Sequence, residues 1–453
     1  MDVQFERRRV AVLALVRAVF EGFAELESRP RIGRMIDNQR WWRHGQEEFV
    51  GLRREAWNMP DDLPMYGWLD KFPEMAAVRE AYDADPVLGA RVDALLGIEG
   101  GRQGTNFYWI LAQHVIEPIV LATRTYNLDE SVFDRVYSAF ERGFGAEEIH
   151  MVEFVPLNGF ASTEEVVTLP DGLVLKHMGD LQVSHAINHL AVPRMSGGGV
   201  NGARISRFDQ WALTTTRAYR VEAGYSDVVP RAPVFPTLYG PAATLVTALR
   251  IVCGGSVVST RSMLAQDESE FPFLPSSSAM LTAFNSADND RPTYLMPDAL
   301  GVFLATYSAL GLPEVQADRS LQVAIRRLVL AGSRSEDSDR LVDLMISAEA
   351  LFIKRSNLAR DMAKKVKIMA GAATLLAGDP QLQVGADELR ILMKTMYEAR
   401  NAEVHGDDQP YAPLYLLSGA ATDSLPKMLD DAERVMRRAV LVVLEEHARA
   451  KLP

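Results

Sequence analysis

Five wide apolar stripes at helical spacing occupy the end of the chain. Leu321, Ala324, Ile325 and Leu328 form the first, and Leu341, Leu344, Met345, Ala348 and Phe352 the second. The third runs Leu358, Met362, Val366, Met369, Ala373 and Leu376, and the fourth holds Leu389, Leu392, Met393 and Met396. Leu425, Met428, Leu429, Ala432, Met436, Val440 and Leu444 make the last. Residues three and four apart share a helix face, and stripes this wide bury against one another. The expectation for residues 316–453 is an all-α bundle.

The first 145 residues also read as helical. Val10, Leu13, Val16 and Phe20 share one face, and Tyr108, Leu111, Val115 and Ile119 another, with Pro118 expected to kink the second helix. From Glu148 the period shortens. Val166–Leu169 and Leu173–Leu175 flank Pro170-Asp171-Gly172, a turn sequence, and the positions from Trp211 to Val221 alternate as in a half-buried strand. Leu245, Leu249 and Val252 predict a helix that ends at Gly254-Gly255. Residues 146–315 are therefore mixed with strands dominant, and the fold class expected for the whole chain is α+β.

Charge changes this picture in one respect. Residues 316–453 hold 20 of the 48 Lys and Arg and 20 of the 60 Asp and Glu, so the first 315 residues hold 28 and 40. The whole net charge of −12 lies in that first part. An acidic chain is a poor non-specific coat for nucleic acid, and the neutral C-terminal part is the better candidate to meet a phosphate backbone. The single Cys253 excludes an intramolecular disulfide and suits a reducing cytoplasm. No apolar run approaches the roughly eighteen residues of a membrane span. The start, Arg7-Arg8-Arg9 followed by Val10–Val16, fits an amphipathic helix better than a signal peptide, because Arg17 and Glu21 interrupt it.

Candidate chemistry outside the bundle is thin. Gly100-Gly101 with Gly104 could cradle a phosphate, but no strand precedes it and no Gly-Lys-Ser/Thr follows. Arg40-Trp41-Trp42-Arg43 mixes aromatics with charge as nucleic-acid binders do, and packed tryptophans between solvated arginines explain it as well. His150, His177, His185 and His189 populate the middle region; the last two would share a helix face, yet no acidic residue completes a zinc-protease pattern. No cofactor and no metal is implied.

The bundle carries more. Arg400 takes the core slot four after Met396, Val404 resumes the apolar face, and Glu349 takes the slot four after Met345. A lone charge in a bundle interior is costly, so the two are expected to pair. Asn401 and His405 are four apart, and Gly406 stops the helix, which puts His405 in its last turn, where the dipole favours a cation. An imidazole beside an amide and an obligate guanidinium suits phosphodiester chemistry.

Arg400-Asn401-x-x-x-His405 resembles the Arg-polar-x(3)-His motif of HEPN domains, many of them ribonucleases of toxin and anti-phage systems. Ala324-Ile325-Arg326-Arg327, then Asp339 to Leu344, then Glu349-Ala350-Leu351-Phe352 are similar to the Apea-like branch, over residues 318 to 450. Leu173 and Leu249-Arg250-Ile251 resemble, less closely, the sensor-like region that precedes the domain. The resemblance implies a metal-independent endoribonuclease in which His405 moves protons, Arg400 stabilises developing charge and Asn401 orients. It also implies RNA as substrate, a homodimer whose two motifs share one cleft, and a phage or cellular trigger read by the first 315 residues. Lys364, Lys365 and Lys367, with Lys354, Arg355 and Arg360, could line that cleft or form a solvated face. The alternative is a non-catalytic dimerisation or RNA-binding protein.

Overall fold

The computed structural model describes residues 3–26, 28–36, 53–58, 68–96, 107–146, 148–178, 182, 211–220, 238–259, 261–266, 277–280, 291–405 and 413–450. The fold is α+β, with helices at both ends and a sheet between them.

The N-terminal unit comprises α1 (Val3–Leu26), a β1–β2 hairpin (Arg31–Ile36 with Arg53–Asn58), α2 (Glu74–Asp83), α3 (Pro86–Leu96), α4 (Phe107–Leu111), α5 (Glu117–Thr123) and α6 (Glu130–Phe144). The hairpin is an addition to the helical reading. The buried face of α1 is Val12, Leu15, Val16, Val19, Phe20 and Phe23, with Val10 exposed, so the stripe is turned from the expected one. The expected break before Pro118 is a π turn over Ala112–Ile116, where proline's missing N–H disfavours a regular α bond. Asp129 caps α6 by accepting from the N–H groups of Ser131 and Val132.

Inside this unit Arg8, Tyr82, Tyr137 and Glu141 form a buried network. Arg8 donates to Glu141 and, at 3.0 Å, to Asp85; the two phenols donate to Glu141 Oε2 at 2.8 and 2.9 Å. Arg91 is buried too and donates to the carbonyls of Phe144, the last residue of α6, and of Ala146 just beyond it. Burial of charge is tolerated here because each group has a partner of opposite sign or a carbonyl.

The middle region is built on a six-stranded antiparallel sheet in the order β5-β6-β7-β3-β8-β9. In chain order its strands are β3 (Glu148–Leu157), β5 (Val166–Thr168), β6 (Val174–His177), β7 (Trp211–Arg220), β8 (Arg261–Gln266) and β9 (Ser277–Met280). A separate parallel pair joins β4 (Phe160–Ser162) to β10 (Thr293–Leu295). Trp211, Ala212, Leu213 and Thr214 of β7 are all buried, so the first part of the expected half-buried strand is covered on both faces, while Thr216 further along is exposed. Val155, Leu157, Trp211 and Leu213 belong to the main core, and Val152, Phe154, Met178, Ala212 and Met263 form a smaller cluster.

Helices α7 (Tyr239–Cys253), α8 (Pro297–Leu310) and α9 (Pro313–Ala317) lead into five more: α10 (Arg319–Ala331), α11 (Asp337–Phe352), α12 (Lys364–Leu376), α13 (Ala386–His405) and α14 (Leu425–Arg449). A small hairpin, β11 (Leu414–Tyr415) with β12 (Ala421–Thr422), precedes α14. One continuous hydrophobic cluster runs from β3 and β7 through α7 and α8 into all five bundle helices, across the expected boundary at 315/316. Arginines fasten this junction. Arg250 donates to Val257 O at 2.9 Å, Val329 O at 3.0 Å and Ser333 Oγ at 2.5 Å, and burial, countered by Glu433, pushes its pKa down to about 10. Arg340, 2% exposed, reaches Asp430 at 2.7 Å and Glu433 at 2.5 Å, and Arg291 shares Asp430 at 3.3 Å. No helix among the described residues is long and apolar enough to cross a membrane.

Candidate active site

The motif lies on α13. Asp387 and Glu388 sit in its first turn, where the dipole favours anions, and Leu389, Leu392, Met393, Met396 and Ala399 are buried. Beyond Ala399 the helix emerges from the core: Arg400, Asn401 and Ala402 are half-buried, and Glu403, Val404 and His405 exposed. Val404, 53% exposed, therefore does not resume the apolar face.

Arg400 Nη1 donates to Asn401 Oδ1 at 3.2 Å, while Arg400 Nε is buried and has no hydrogen-bond partner among the described residues. The expected pairing with Glu349 is not formed. Glu349 keeps part of its carboxylate in solvent and lies 3.9 Å from Lys364 Nζ, since the start of α12 reaches it first. His405 closes the last turn of α13, as expected. Gly406, Asp407 and Asp408 lie outside the described residues, as do Arg40–Arg43, Gly100–Gly104, His185 and His189.

Helix α12 runs antiparallel to α13, and Lys365 Nζ meets Glu398 at 3.2 Å, which sets the start of α12 beside the end of α13. Lys367 Nζ donates to the carbonyl of Arg360 at 2.6 Å, and Lys364 projects into solvent. The start of α12, which carries the lysines expected at an RNA cleft, thus lies beside the end of α13, but Lys364 and Lys365 are each paired with a carboxylate, Glu349 and Glu398. Lys354 and Arg355 turn instead to Asp318, at 3.4 Å, and Glu446, at 3.7 Å.

The third apolar stripe departs from its expected helix. Asn357 adopts φ +50, residues 357–363 are irregular, and α12 begins only at Lys364 with no side-chain cap. Leu358 and Met362 are consequently exposed, Val366 is exposed on α12 itself, and α12 buries Ile368, Gly371, Ala372, Ala373 and Leu376. Gly371 makes close packing possible, because a Cβ there would overlap the carbonyl oxygen of Phe352 at the end of α11.

Two histidines of the middle region are accounted for by the sheet. His150 lies on β3, and His177 ends β6 with its ring tilted against Trp211 at a centroid distance of 4.3 Å, with burial lowering its pKa despite Glu165 nearby. Among the described residues no group of three His, Cys, Asp or Glu could hold a metal ion. Sequence reading passed over Glu398, the partner that fixes Lys365. A charge 33 positions away becomes legible only once the hairpin register is known.

Compared with protein-family models, with curated proteins and with solved structures, the chain matches none.

Proposed function

We propose that the C-terminal bundle is a HEPN-type, metal-independent endoribonuclease acting from the end of α13. The observation that carries this reading is the state of Arg400. Its neighbour Asn401 holds one end of the guanidinium, Nε is left without a partner among the described residues, and an exposed imidazole stands five residues on at the same helix end. Arginine is always charged and offers donors in a fixed fork suited to phosphate. In the reaction proposed, the ribose 2′-oxygen forms a bond to phosphorus as the bond to the 5′-oxygen breaks, leaving a 2′,3′-cyclic phosphate. One imidazole accepts the 2′-hydroxyl proton, another donates to the leaving 5′-oxygen, and Arg400 stabilises charge on the phosphoryl oxygens.

That division of labour needs two histidines, and the motif supplies one, so the reading includes a homodimer with two copies of α13 at one cleft. Lys364 and Lys367 would guide the RNA backbone toward it. The sheet-containing first 315 residues would sense a phage or cellular trigger and restrain the bundle, as in an anti-phage toxin. A second reading, a non-catalytic dimerisation or RNA-binding protein, is favoured by the apolar exposure around Met362. The deciding experiment incubates the purified protein with total RNA in excess EDTA and maps the product ends. Cleavage with cyclic phosphate ends, lost in His405→Ala, supports the enzyme. RNA that is bound but intact supports the second reading.

A further inference from the structure

Among the described residues of 316–453, five large apolar side chains are exposed: Leu358, Met362, Val366, Ile391 and Val404. Four of the five lie where α12 begins and α13 ends, two helix ends that the Lys365–Glu398 pair holds side by side at 3.2 Å. Single exposed apolar residues are ordinary, whereas a group of them rimmed by charge marks an interaction surface. Val404 adjoins His405, so this corner reaches to within one residue of the motif imidazole.

The rim decides what fits the corner, and it carries both signs. Lys364 and Lys365 are answered within the chain by Glu349 and Glu398, Arg360 precedes Asp361, and Lys367 and Glu403 add one charge of each sign. A balanced rim attracts a phosphate backbone only weakly, and bases stack on aromatic rings, where this surface offers Leu, Met and Val. A rim of one sign would repel its own copy, but a balanced one lets each cation meet an anion of the copy. In a twofold contact residue i meets j and j meets i, so adjacent charges of opposite sign, as in Arg360-Asp361, answer each other across the axis. The chemistry asks for the same occupant. Cleavage through a cyclic phosphate uses two imidazoles, and each chain supplies one at this corner.

We propose that this corner is the twofold interface of the homodimer. Leu358, Met362 and Val366 of the two copies pack across the axis, Arg360 of each pairs with Asp361 of the other, and the two His405 side chains flank the seam. The choice of a second copy as occupant rests on the ribonuclease reading, whose site is incomplete in one chain.

The test is sedimentation of the full chain over a range of concentrations, with RNA cleavage measured on the same samples. A dimer and nothing larger is expected, because an isologous contact closes on itself. Met362→Asp/Val366→Asp should weaken association on the order of a hundredfold, since each change enters the contact twice, and should lose cleavage with it. Arg360→Glu and Asp361→Arg should each weaken self-association about tenfold. An equimolar mixture of those two variants should dimerise like the parent, because each charge then meets its opposite. All four positions are exposed, and far-UV circular dichroism verifies the fold. A wild-type monomer overturns the proposal, as does a dimer that Met362→Asp/Val366→Asp leaves intact, a mixture that associates no better than its components, or a monomeric variant with full cleavage. A dimer that these variants break but that never cleaves RNA leaves the interface standing and overturns only the ribonuclease reading.

Discussion

Arg400 donates from Nη1 to Asn401 Oδ1 at 3.2 Å, while Glu349, the carboxylate expected to hold that arginine, lies 3.9 Å from Lys364 instead. The motif arginine is fastened by its own neighbour and not by the bundle. Breaking a buried ion pair would cost about 3–5 kcal/mol, whereas an exposed pair is worth about 0–1 kcal/mol. Glu349→Gln should therefore change stability by about 1 kcal/mol or less, read as chemical denaturation midpoints. On the ribonuclease reading, His405→Ala should melt with the parent protein while losing on the order of 10²–10⁴ in RNA cleavage rate. Arg400→Ala should behave in the same way, with a loss of about 10²–10³. A large stability loss for Glu349→Gln would show that the carboxylate serves the core after all.

Gly371 provides a second test, in which two effects of known size oppose each other. Alanine is favoured over glycine inside a helix by about 1 kcal/mol. The added methyl would meet the Phe352 carbonyl, backbone that cannot rotate away, and overpacking costs about 1–3 kcal/mol or more. The steric cost should win. Gly371→Ala is expected to lower the melting temperature and to loosen α12 against α11. A variant more stable than the parent would mean that these helices can part without loss.

Periodicity revealed the five bundle helices and the end of α7 at Gly254, because each buries a face against a neighbour and the pattern follows from that burial. It misled at Leu358 and Met362, whose i, i+4 spacing extends the stripe of α12 although Asn357 at φ +50 turns the chain out of the helix, and at Val366, which is helical but exposed. Spacing shows which residues could share a face, not whether anything covers that face. The helix end at His405 was legible locally. Arg8, Arg91, Arg250 and Arg340 were not, since an arginine destined for the core looks like any surface charge. Their partners come from distant elements, 133 positions away for Arg8 and Glu141.

Arg340 should be the most sensitive of these positions in the bundle. Its guanidinium is almost wholly enclosed and holds both Asp430 and Glu433, and Glu433 is itself only 12% exposed. Arg340→Ala removes the cation that neutralises Glu433 and leaves Arg291 at 3.9 Å as a poor replacement. A loss of about 3–5 kcal/mol in denaturant stability is expected. Restoring shape without charge, as Arg340→Met with Glu433→Gln, should recover much of it, because the neutral pair no longer carries a desolvated ion. If the single variant loses no more than a surface pair would, water reaches this junction and the enclosure of Arg340 is not maintained in solution.

The buried phenols of the N-terminal unit give the pH prediction. Tyr82 and Tyr137 are enclosed in the protein and donate to the same carboxylate, Glu141. Burial, and then the neighbouring phenol for Tyr82 and Glu141 for Tyr137, raise both pKa values above the ordinary value of 10. In an unfolded chain each would ionise near 10, so above that pH the unfolded state holds fewer protons than the native one. Stability is intact below about pH 10 and falls as pH rises further. Absorbance of phenolate near 295 nm, followed together with far-UV circular dichroism, should resolve two stages. Solvent-facing tyrosines among the 13 in the chain should ionise first with helicity unchanged. A later group, including Tyr82 and Tyr137, should ionise only as the N-terminal helices melt. Tyr82→Phe should shrink that second stage. At neutral pH it should cost about 1–3 kcal/mol, because Glu141 loses a hydrogen bond to a charged group. Ionisation of all tyrosines in one step near pH 10, with the helices intact, would mean that the phenols are open to solvent and the network around Glu141 does not persist.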